Sequence, residues 1–251
     1  MASSTTSQEP DKLGVAAPAE RAAHREFLRT LIARASAKQR FLISIAGIPG
    51  SGKSTLAAFW ADIARVDLGH EIQVLPMDGF HYSNDWLGTH FIEKDGWRRS
   101  LREMKGSPES FDLLGLWCAL KSLREGEIVF WPTYDRRIHE PVPAARPLPT
   151  QGIFVVEGNY LLLDEPVWRD LAALFDLRIF VEADPEVALA AVVARHVQGG
   201  RTAAEAQAHM ERCDHPNAKR ILSHLLPAHV RIHRNPDWTF SFVTRELATG
   251  K

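Results

Sequence analysis

Residues 41–55 read FLISIAGIPGSGKST, and this stretch decides the fold class of the 251-residue chain. The apolar, partly β-branched residues before the glycines indicate a buried parallel strand, and residues 55–64 have the pattern of a helix. The spacing between them is that of a phosphate-binding loop, G-x-x-x-x-G-K-[ST], with its fixed positions at Gly47, Gly52, Lys53 and Ser54. Strand, glycine loop and helix in this order predict a site for a nucleoside triphosphate.

Each residue type in the loop suits one part of a triphosphate. Glycines let backbone N–H groups approach the phosphates closely, a lysine supplies a positive charge, and a serine hydroxyl can share a magnesium ion. A glycine-rich turn without function is the alternative. The predicted nucleotide-binding positions in the loop are Gly47, Gly50, Ser51, Gly52, Lys53, Ser54 and Thr55, with Ser54 also predicted to ligate Mg²⁺.

Composition describes an ordinary globular chain, with 45% hydrophobic and 24% charged residues. The net charge of -1 disfavours nucleic acid as the main partner, because no excess of cations would neutralise a phosphate backbone. No apolar run is long enough to cross a bilayer, so we expect a cytoplasmic protein without a membrane partner. Cys118 and Cys213 are too few and too isolated for a disulfide framework, and we expect reduced thiols. The sequence is compatible with a homodimer and does not predict one.

Strand patterns alternate with helix patterns along the chain. This alternation predicts an α/β fold with three layers, in which a mostly parallel sheet is covered by helices on both faces. Residues 1–20, rich in Ser, Thr, Ala and Pro, are expected to form a flexible tail, and residues 21–251 a single domain. Further strands are expected at 72–76, 129–131, 153–156 and 177–181, and further helices at 112–124, 185–197 and 202–212, while 230–243 stays unassigned.

Asp78 follows the predicted strand 72–76. The carboxyl end of a parallel strand faces the same crevice as the phosphate loop, so we expect Asp78 near the γ-phosphate. A carboxylate there can accept the proton of an attacking hydroxyl, which is the general-base role in phosphoryl transfer. The alternative is a turn cap, because Asp followed by Gly is common in turns.

Glu157 follows four apolar residues of another predicted strand. This is the pattern of a Walker B strand, whose carboxylate holds Mg²⁺ directly or through water. Glutamate suggests the longer reach through water. Because a lone acid after a strand is more often a cap, the prediction depends on Glu157 completing a set with the loop and Asp78.

Seven segments resemble those of one family of P-loop kinases and occur in the same order. They read GIPGSGKST, MDGFHYSN, KGSPESFD, PTYDRRIHEP, VVEGNYLLLD, ARHVQGGR and DHPNA. The family contains uridine kinase, phosphoribulokinase and bacterial pantothenate kinase, together with relatives described as fructokinases, and the resemblance covers residues 41–217. It implies an ATP-dependent kinase with Asp78, Lys53 and Arg195 as catalytic residues. It also implies an acceptor pocket lined by His81, Asn84, Lys105, Tyr134, Arg136, His139 and Asn159.

Two glycines, Gly199 and Gly200, stand between Arg195 and Arg201 and resemble the lid of these kinases, at about residues 195–213. A glycine hinge would let the lid close, and its arginines would neutralise charge on the transferred phosphoryl group. Arg201 is accordingly a predicted nucleotide-binding residue. A solvated helix end with a glycine cap is the alternative for Arg201.

The acceptor is expected to be a sugar or polyol, because the pocket candidates are mostly polar and offer few aromatic rings to sandwich a base. A nucleoside and a pantothenate-like compound remain alternative acceptors.

Some pocket candidates have alternative interpretations. Arg136 could equally form a surface ion pair, and His81 and His139 lack partners at metal-ligand spacing. Residues 91–104 look longer and more charged than the family pattern, which bears on the acceptor. The alternative function is a nucleotide-dependent switch; a GTPase is disfavoured because no N-K-x-D segment is present.

Overall fold

The computed structural model describes residues 18–94, 96–144 and 147–244. Its α-helices are α1 Pro18–Ala35, α2 Lys53–Asp67, α3 Asn84–Thr89, α4 Leu113–Glu125, α5 Trp168–Ala172, α6 Pro185–Gln198, α7 Ala203–His209 and α8 His215–Ser223. Its strands are β1 Arg40–Ala46, β2 Ile72–Pro76, β3 Phe91–Lys94, β4 Trp97–Ser100, β5 Thr133–Asp135, β6 Glu140–Val142, β7 Gly152–Gly158, β8 Leu177–Glu182, β9 Val230–Arg234 and β10 Phe240–Thr244. Short 3₁₀ turns lie at Met77–Phe80 and Pro108–Ser110, and a π-helical turn lies at Met210–Asp214.

Six strands form one sheet in the order β10-β9-β8-β1-β7-β2, in which only β10 runs antiparallel to its neighbour. The register sets the carboxyl ends of three strands side by side. Glu157 on β7 lies opposite Ile45 on β1 and opposite Pro76 on β2. The residues that follow β1, β2 and β7 therefore share one edge of the sheet, where ligands of open α/β folds bind.

Two hydrophobic clusters cover the two faces of the sheet. One contains Trp60 on α2 and Leu28 on α1, and the other contains Leu120 on α4 and Trp168 on α5. Successive residues of β1 alternate between the clusters, because neighbouring side chains of a strand point to opposite faces. The predicted three-layer α/β fold is confirmed.

Several element boundaries differ from the sequence prediction. Helix α1 begins at Pro18, so residues 18–20 are helical and the predicted tail is too long; residues 1–17 lie outside the described ranges. Residues 129–131 do not form a strand. The predicted helix 202–212 is α7 followed by the π-helical turn. The unassigned stretch 230–243 contains β9 and most of the β9–β10 hairpin.

Residues 91–104 contain an antiparallel hairpin, β3 with β4. Cys118 is exposed and Cys213 is buried, and both are free, as predicted. Within the described ranges, no helix is both long enough and apolar enough to span a membrane. The single-domain boundary at residues 21–251 stays a prediction, since residues 245–251 lie outside those ranges.

Candidate active site

The phosphate loop connects β1 to α2 and is curled against helix α6. Gly50 has φ +75°, and a Cβ atom there would lie 2.0 Å from the backbone oxygen of Ala188 on α6. Inside the curl, Lys53 Nζ donates to the backbone oxygen of Ile48 at 2.9 Å, and the Ser51 hydroxyl is buried without a hydrogen-bond partner among the described residues. This cradle has the shape and the donors that a phosphate chain needs.

Gly50→Ala is expected to weaken ATP binding by about 10-fold or more, because the added methyl group meets backbone that cannot rotate away. Gly69→Ala is the matched control: its φ is +67°, yet nothing lies within 4 Å of the added atom. Both variants carry the backbone strain of a left-handed residue, and only one carries the clash. Equal ATP dissociation constants for the two variants would show that the fit of the loop against α6 does not matter.

Ser54 and Glu157 meet beside the loop, where Ser54 Oγ donates to Glu157 Oε1 at 3.0 Å. Glu157 is buried, and this burial and the nearby Asp78 raise its pKa, against the opposing charge of Lys53. The Ser54 hydroxyl and the Glu157 carboxylate are oxygen ligands that suit a hard divalent cation such as Mg²⁺. A bound cation would also relieve the repulsion between the Glu157 and Asp78 carboxylates. The predicted Mg²⁺ pair is therefore adjacent and chemically suitable.

Asp78 lies in the 3₁₀ turn that follows β2, and it is half-buried. Its charge acts on Lys53, Glu157 and Arg195, so it faces the phosphate loop as the sequence predicts. The next residue is Gly79, where a Cβ atom would lie 2.2 Å from the backbone oxygen of Pro132. This close approach brings strand β5 against the Asp78 turn.

Three cations gather around the phosphate loop. Burial lowers the pKa of Lys53 to about 8, and the charges of Arg195 and Arg136 add to this effect. The pKa of Arg195 is also lowered, first by the protein atoms crowded around it and then by Arg136, although part of its side chain is exposed. No ion pair of Lys53, Arg136 or Arg195 is found among the described residues, so a polyanion would be their natural counter-ion.

The aromatic side of the pocket lies next to Asp78. His81 Nδ1 lies 2.9 Å from the backbone oxygen of Asp78, and since a carbonyl only accepts, Nδ1–H donates. Burial lowers the pKa of His81, so the ring is neutral and its Nε2 is an acceptor. The ring of Tyr134 lies 5.2 Å from that of His81, and burial and Asp78 raise the pKa of the Tyr134 phenol, which stays a donor.

The polar side of the pocket is a network centred on Lys105. Lys105 Nζ donates to Asn84 Oδ1 at 2.7 Å and to the backbone oxygen of His139 at 2.6 Å, and it lies 5.3 Å from the centre of the Tyr134 ring. His139 has φ +53° and an exposed side chain, and its contact with Asn84 and Lys105 is made by its carbonyl. His139 thus joins the network through its backbone, whereas the sequence suggested its side chain.

The remaining predicted residues lie at the edges of this site. Asn159 directly follows β7, and Thr55 is half-buried in the first turn of α2. Arg201 lies in the predicted lid, where its Nη1 is 3.5 Å from His196 Nδ1 and its charge acts on Tyr134 and His139. The segment between α6 and α7 therefore lies beside the acceptor side of the pocket.

Sequence reasoning missed two charged residues. Glu140 accepts from the backbone N–H of Asn84 through both carboxylate oxygens, at 3.0 and 3.2 Å, and its charge acts on Lys105. Arg234, at the end of β9, is only 2% exposed; its Cδ lies 3.0 Å from where a Cβ on Gly52 would be, and its Nε and Nη2 have no hydrogen-bond partner among the described residues. Glu140 belongs to the PTYDRRIHEP segment, so the family resemblance could have identified it as a site residue. No sequence motif around Arg234 indicates its position beside the phosphate loop.

The sequence also missed an aromatic stack beside this network. The ring of Trp86 stacks on Tyr82 at 3.7 Å and on His90 at 3.6 Å. These residues lie on and around α3, which also carries Asn84. The acceptor side is therefore richer in aromatic rings than the sequence suggested.

A family model described as Phosphoribulokinase / Uridine kinase family matches residues 42–241. The chain belongs to this family. Among its relatives is the uncharacterized protein YggC of Escherichia coli (strain K12), 36% identical over 224 residues, which cover 88% of this chain and 90% of that protein. A Schizosaccharomyces pombe protein named putative uridine kinase is 37% identical over 182 residues, covering 70% and 74% of the two chains.

A solved structure of the same architecture is that of a putative fructose transport system kinase from Silicibacter sp. TM1040. It has a TM-score of 0.72 and 34% identity, and the match covers 84% of this chain and 98% of that one. The predicted family resemblance is confirmed, and the chain is a P-loop kinase of the phosphoribulokinase and uridine kinase type. Family membership implies ATP as the phosphoryl donor.

Proposed function

We propose that this protein transfers the γ-phosphoryl group of ATP to a hydroxyl of a small sugar or polyol. The observation that carries the proposal is the position of Asp78: it faces the cations of the phosphate loop on one side and adjoins the network of His81, Tyr134 and Lys105 on the other. A general base between a phosphate site and a pocket of hydrogen-bonding groups is what phosphoryl transfer to an alcohol requires.

The phosphate loop and Lys53 hold the triphosphate, and the Ser54–Glu157 pair would hold Mg²⁺, which when bound neutralises charge on the phosphates. Asp78 accepts the proton of the acceptor hydroxyl as the hydroxyl oxygen bonds to the γ-phosphorus, and the bond from this phosphorus to the β–γ bridging oxygen breaks and releases ADP. Arg195 and Arg136 stabilise the negative charge on the transferred group. Tyr134 donates to the acceptor and His81 Nε2 accepts from it, which together fix one hydroxyl in line with Asp78.

The pocket favours hydroxyl recognition because it supplies both donors and acceptors at fixed positions. Lys105 and Tyr134 donate, whereas Glu140 and neutral His81 accept. A sugar hydroxyl both donates and accepts, so several such groups can be satisfied at once. The Tyr82–Trp86–His90 stack favours a second candidate, an acceptor with a planar ring such as a nucleoside.

ATP binding is expected to weaken by about 10-fold between pH 7 and pH 9. Since the pKa of Lys53 lies at about 8, roughly nine-tenths of its amines are charged at pH 7 and roughly one-tenth at pH 9, and the charged form binds the phosphates. Titration calorimetry with Mg²⁺ present measures the change. Lys53→Arg should remove it, because a guanidinium does not lose its proton in this range. An unchanged pH dependence in this variant would assign it to another group.

Glu157→Gln is expected to raise the Mg²⁺ concentration for half-maximal activity by about 10-fold or more, since the variant loses the carboxylate charge and keeps the shape. Glu103→Gln, an exposed carboxylate in the same protein, is the control. The measurement is initial rate against free Mg²⁺ at constant ATP. Equal Mg²⁺ requirements in Glu157→Gln and the unmodified protein would remove Glu157 from the metal site.

The proposed function is tested by ADP release with Mg²⁺ and a panel of sugars, polyols, nucleosides and pantothenate, each against a control without acceptor. Stimulation by a sugar or polyol supports the proposal. Stimulation by a nucleoside or pantothenate alone keeps the kinase and replaces the acceptor class. Fast release without any acceptor, unchanged across the panel, contradicts the proposal and favours a nucleotide-dependent switch.

A further inference from the structure

Three side chains with metal-ligating atoms meet at the predicted lid, two within it and one directly after it, and none of them has a role in the proposed transfer. His196 lies near the end of α6, His209 ends α7, and Asp214 ends the π-helical turn. One ligand atom from each lies within 4.8 Å of the other two. His196 Nε2 lies 3.0 Å from Asp214 Oδ2, and the two imidazole rings are 5.0 Å apart, edge to face.

The chemistry of this cluster suits a transition metal and not Mg²⁺. Two imidazole nitrogens and one carboxylate oxygen form a donor set typical of Zn²⁺ sites that keep one position open, whereas Mg²⁺ prefers oxygen ligands. His209 and Asp214 are buried and His196 is half-buried, which leaves one side open to water.

The geometry needs only a small closure. Tetrahedral bonds of about 2.1 Å place ligand atoms about 3.4 Å apart, so no pair has to move together by more than about 1.4 Å. Rotation of the half-buried His196 side chain can supply part of this movement. The π-helical turn that carries Asp214 is itself notable, because such turns inside helices are frequent at functional sites.

We propose that His196, His209 and Asp214 form a binding site for a divalent transition-metal ion such as Zn²⁺, separate from the Mg²⁺ pair of Ser54 and Glu157. The ion ties the end of α6, the end of α7 and the π-helical turn together. It thereby fixes the three segments of the lid relative to one another.

Metal binding also changes the surroundings of Arg201, a consequence that rests on the proposed function. In the tautomer with the proton on His196 Nε2, this N–H donates to Asp214 Oδ2, and Nδ1 can accept from Arg201 Nη1, which lies 3.5 Å away. A metal on Nε2 requires the proton to move to Nδ1, which then cannot accept. Arg201 then loses its contact with Nδ1, and the positive charge of the metal ion comes close to that of its guanidinium. Because Arg201 is a predicted nucleotide-binding residue of the lid, we expect the bound ion to inhibit phosphoryl transfer.

Binding is tested with Co²⁺, whose visible absorption reports its ligands, in the presence of excess Mg²⁺. The background is Cys118→Ser, because the exposed thiol would bind metal on its own. The expected result is one Co²⁺ per chain, displaced by Zn²⁺, with affinity at least about 10-fold lower in His209→Gln and in Asp214→Asn. His70→Gln, at an exposed histidine, is the matched control and should bind normally.

Two results would overturn the site. One is no uptake of Co²⁺, and the other is uptake that His209→Gln and Asp214→Asn leave unchanged. Loss of uptake in Cys213→Ser with a thiolate charge-transfer band in the parent would move the ion to the neighbouring thiol, which also overturns it. If thermal melting shows that His209→Gln is unfolded, the Co²⁺ affinity of the near-isosteric Asp214→Asn variant decides whether the cluster binds the metal.

Activity is a separate readout. Zn²⁺ should inhibit acceptor-dependent ADP release in the Cys118→Ser background and not in His209→Gln. Binding of Zn²⁺ without inhibition would contradict only the expected effect of the ion on Arg201 and would leave the binding site in place. A preparation that binds Co²⁺ as expected, yet transfers no phosphate when it is assayed with Mg²⁺ and without any transition metal, would contradict the proposed function and leave the metal site in place.

Discussion

Asp78→Asn is expected to lower kcat by about 10²- to 10⁴-fold while the ATP dissociation constant changes little. The amide keeps the shape of the carboxylate and loses its ability to accept the proton of the acceptor hydroxyl. ATP binding should survive, because the phosphates are held by the loop and Lys53, and a negative charge next to them is removed. Steady-state kinetics and titration calorimetry measure the two quantities on the same preparation.

Asp85→Asn is the control for this prediction, since Asp85 is an exposed carboxylate on the neighbouring helix α3. It should have the kcat of the unmodified protein. If Asp78→Asn keeps more than about one-tenth of the kcat, Asp78 is not the general base. The turn-cap alternative predicts instead that Asp78→Asn leaves the melting temperature nearly unchanged, since Asn caps as well as Asp, and that Asp78→Ala lowers it.

Lys53→Met is expected to lower kcat/KM by about 10²- to 10³-fold, because it removes the buried charge that contacts the phosphates. The same variant should be at least as stable as the parent. The lowered pKa of Lys53 means that burying its ammonium charge lowers the stability of the folded protein. A methionine of similar length fills the same space without this loss of stability. Kinetics and thermal melting together test both parts.

Lys121→Met, on the exposed face of α4, is the control for the change of residue type. It should leave activity and stability unchanged. A fall in melting temperature of more than a few degrees in Lys53→Met would show that the hydrogen bond to Ile48 stabilises the empty loop. Unchanged kcat/KM would contradict the assignment of the phosphate loop as the nucleotide site.

The parts of the site that follow strands could be predicted, because their positions depend only on local pattern and parallel pairing. The phosphate loop is continuous in sequence, and Asp78 and Glu157 each end a strand whose apolar pattern is clear. The register then brings them together with no further information. Arg136 and Arg195 followed from the family resemblance, and the charges that they exert on Lys53 agree with their placement.

The rest depends on contacts that sequence patterns do not encode. Val129 and Trp131 are buried with Phe130 exposed between them, which imitates a strand, yet the indole of Trp131 bonds to the Pro76 backbone and no strand forms. Glu140 reaches Asn84 only because β5 and β6 form a hairpin. Arg234 approaches Gly52 through strand β9, whose neighbourhood could not be assigned in advance.

The most direct test of the central claim follows the γ-phosphate itself by phosphorus NMR, with ATP, Mg²⁺ and the best acceptor from the panel. Phosphoryl transfer to an acceptor hydroxyl gives a new phosphomonoester signal that grows in equal amount with ADP, little inorganic phosphate, and no such signal over the same time in Asp78→Asn. ADP that grows together with inorganic phosphate and no phosphomonoester, with or without an acceptor, would contradict it.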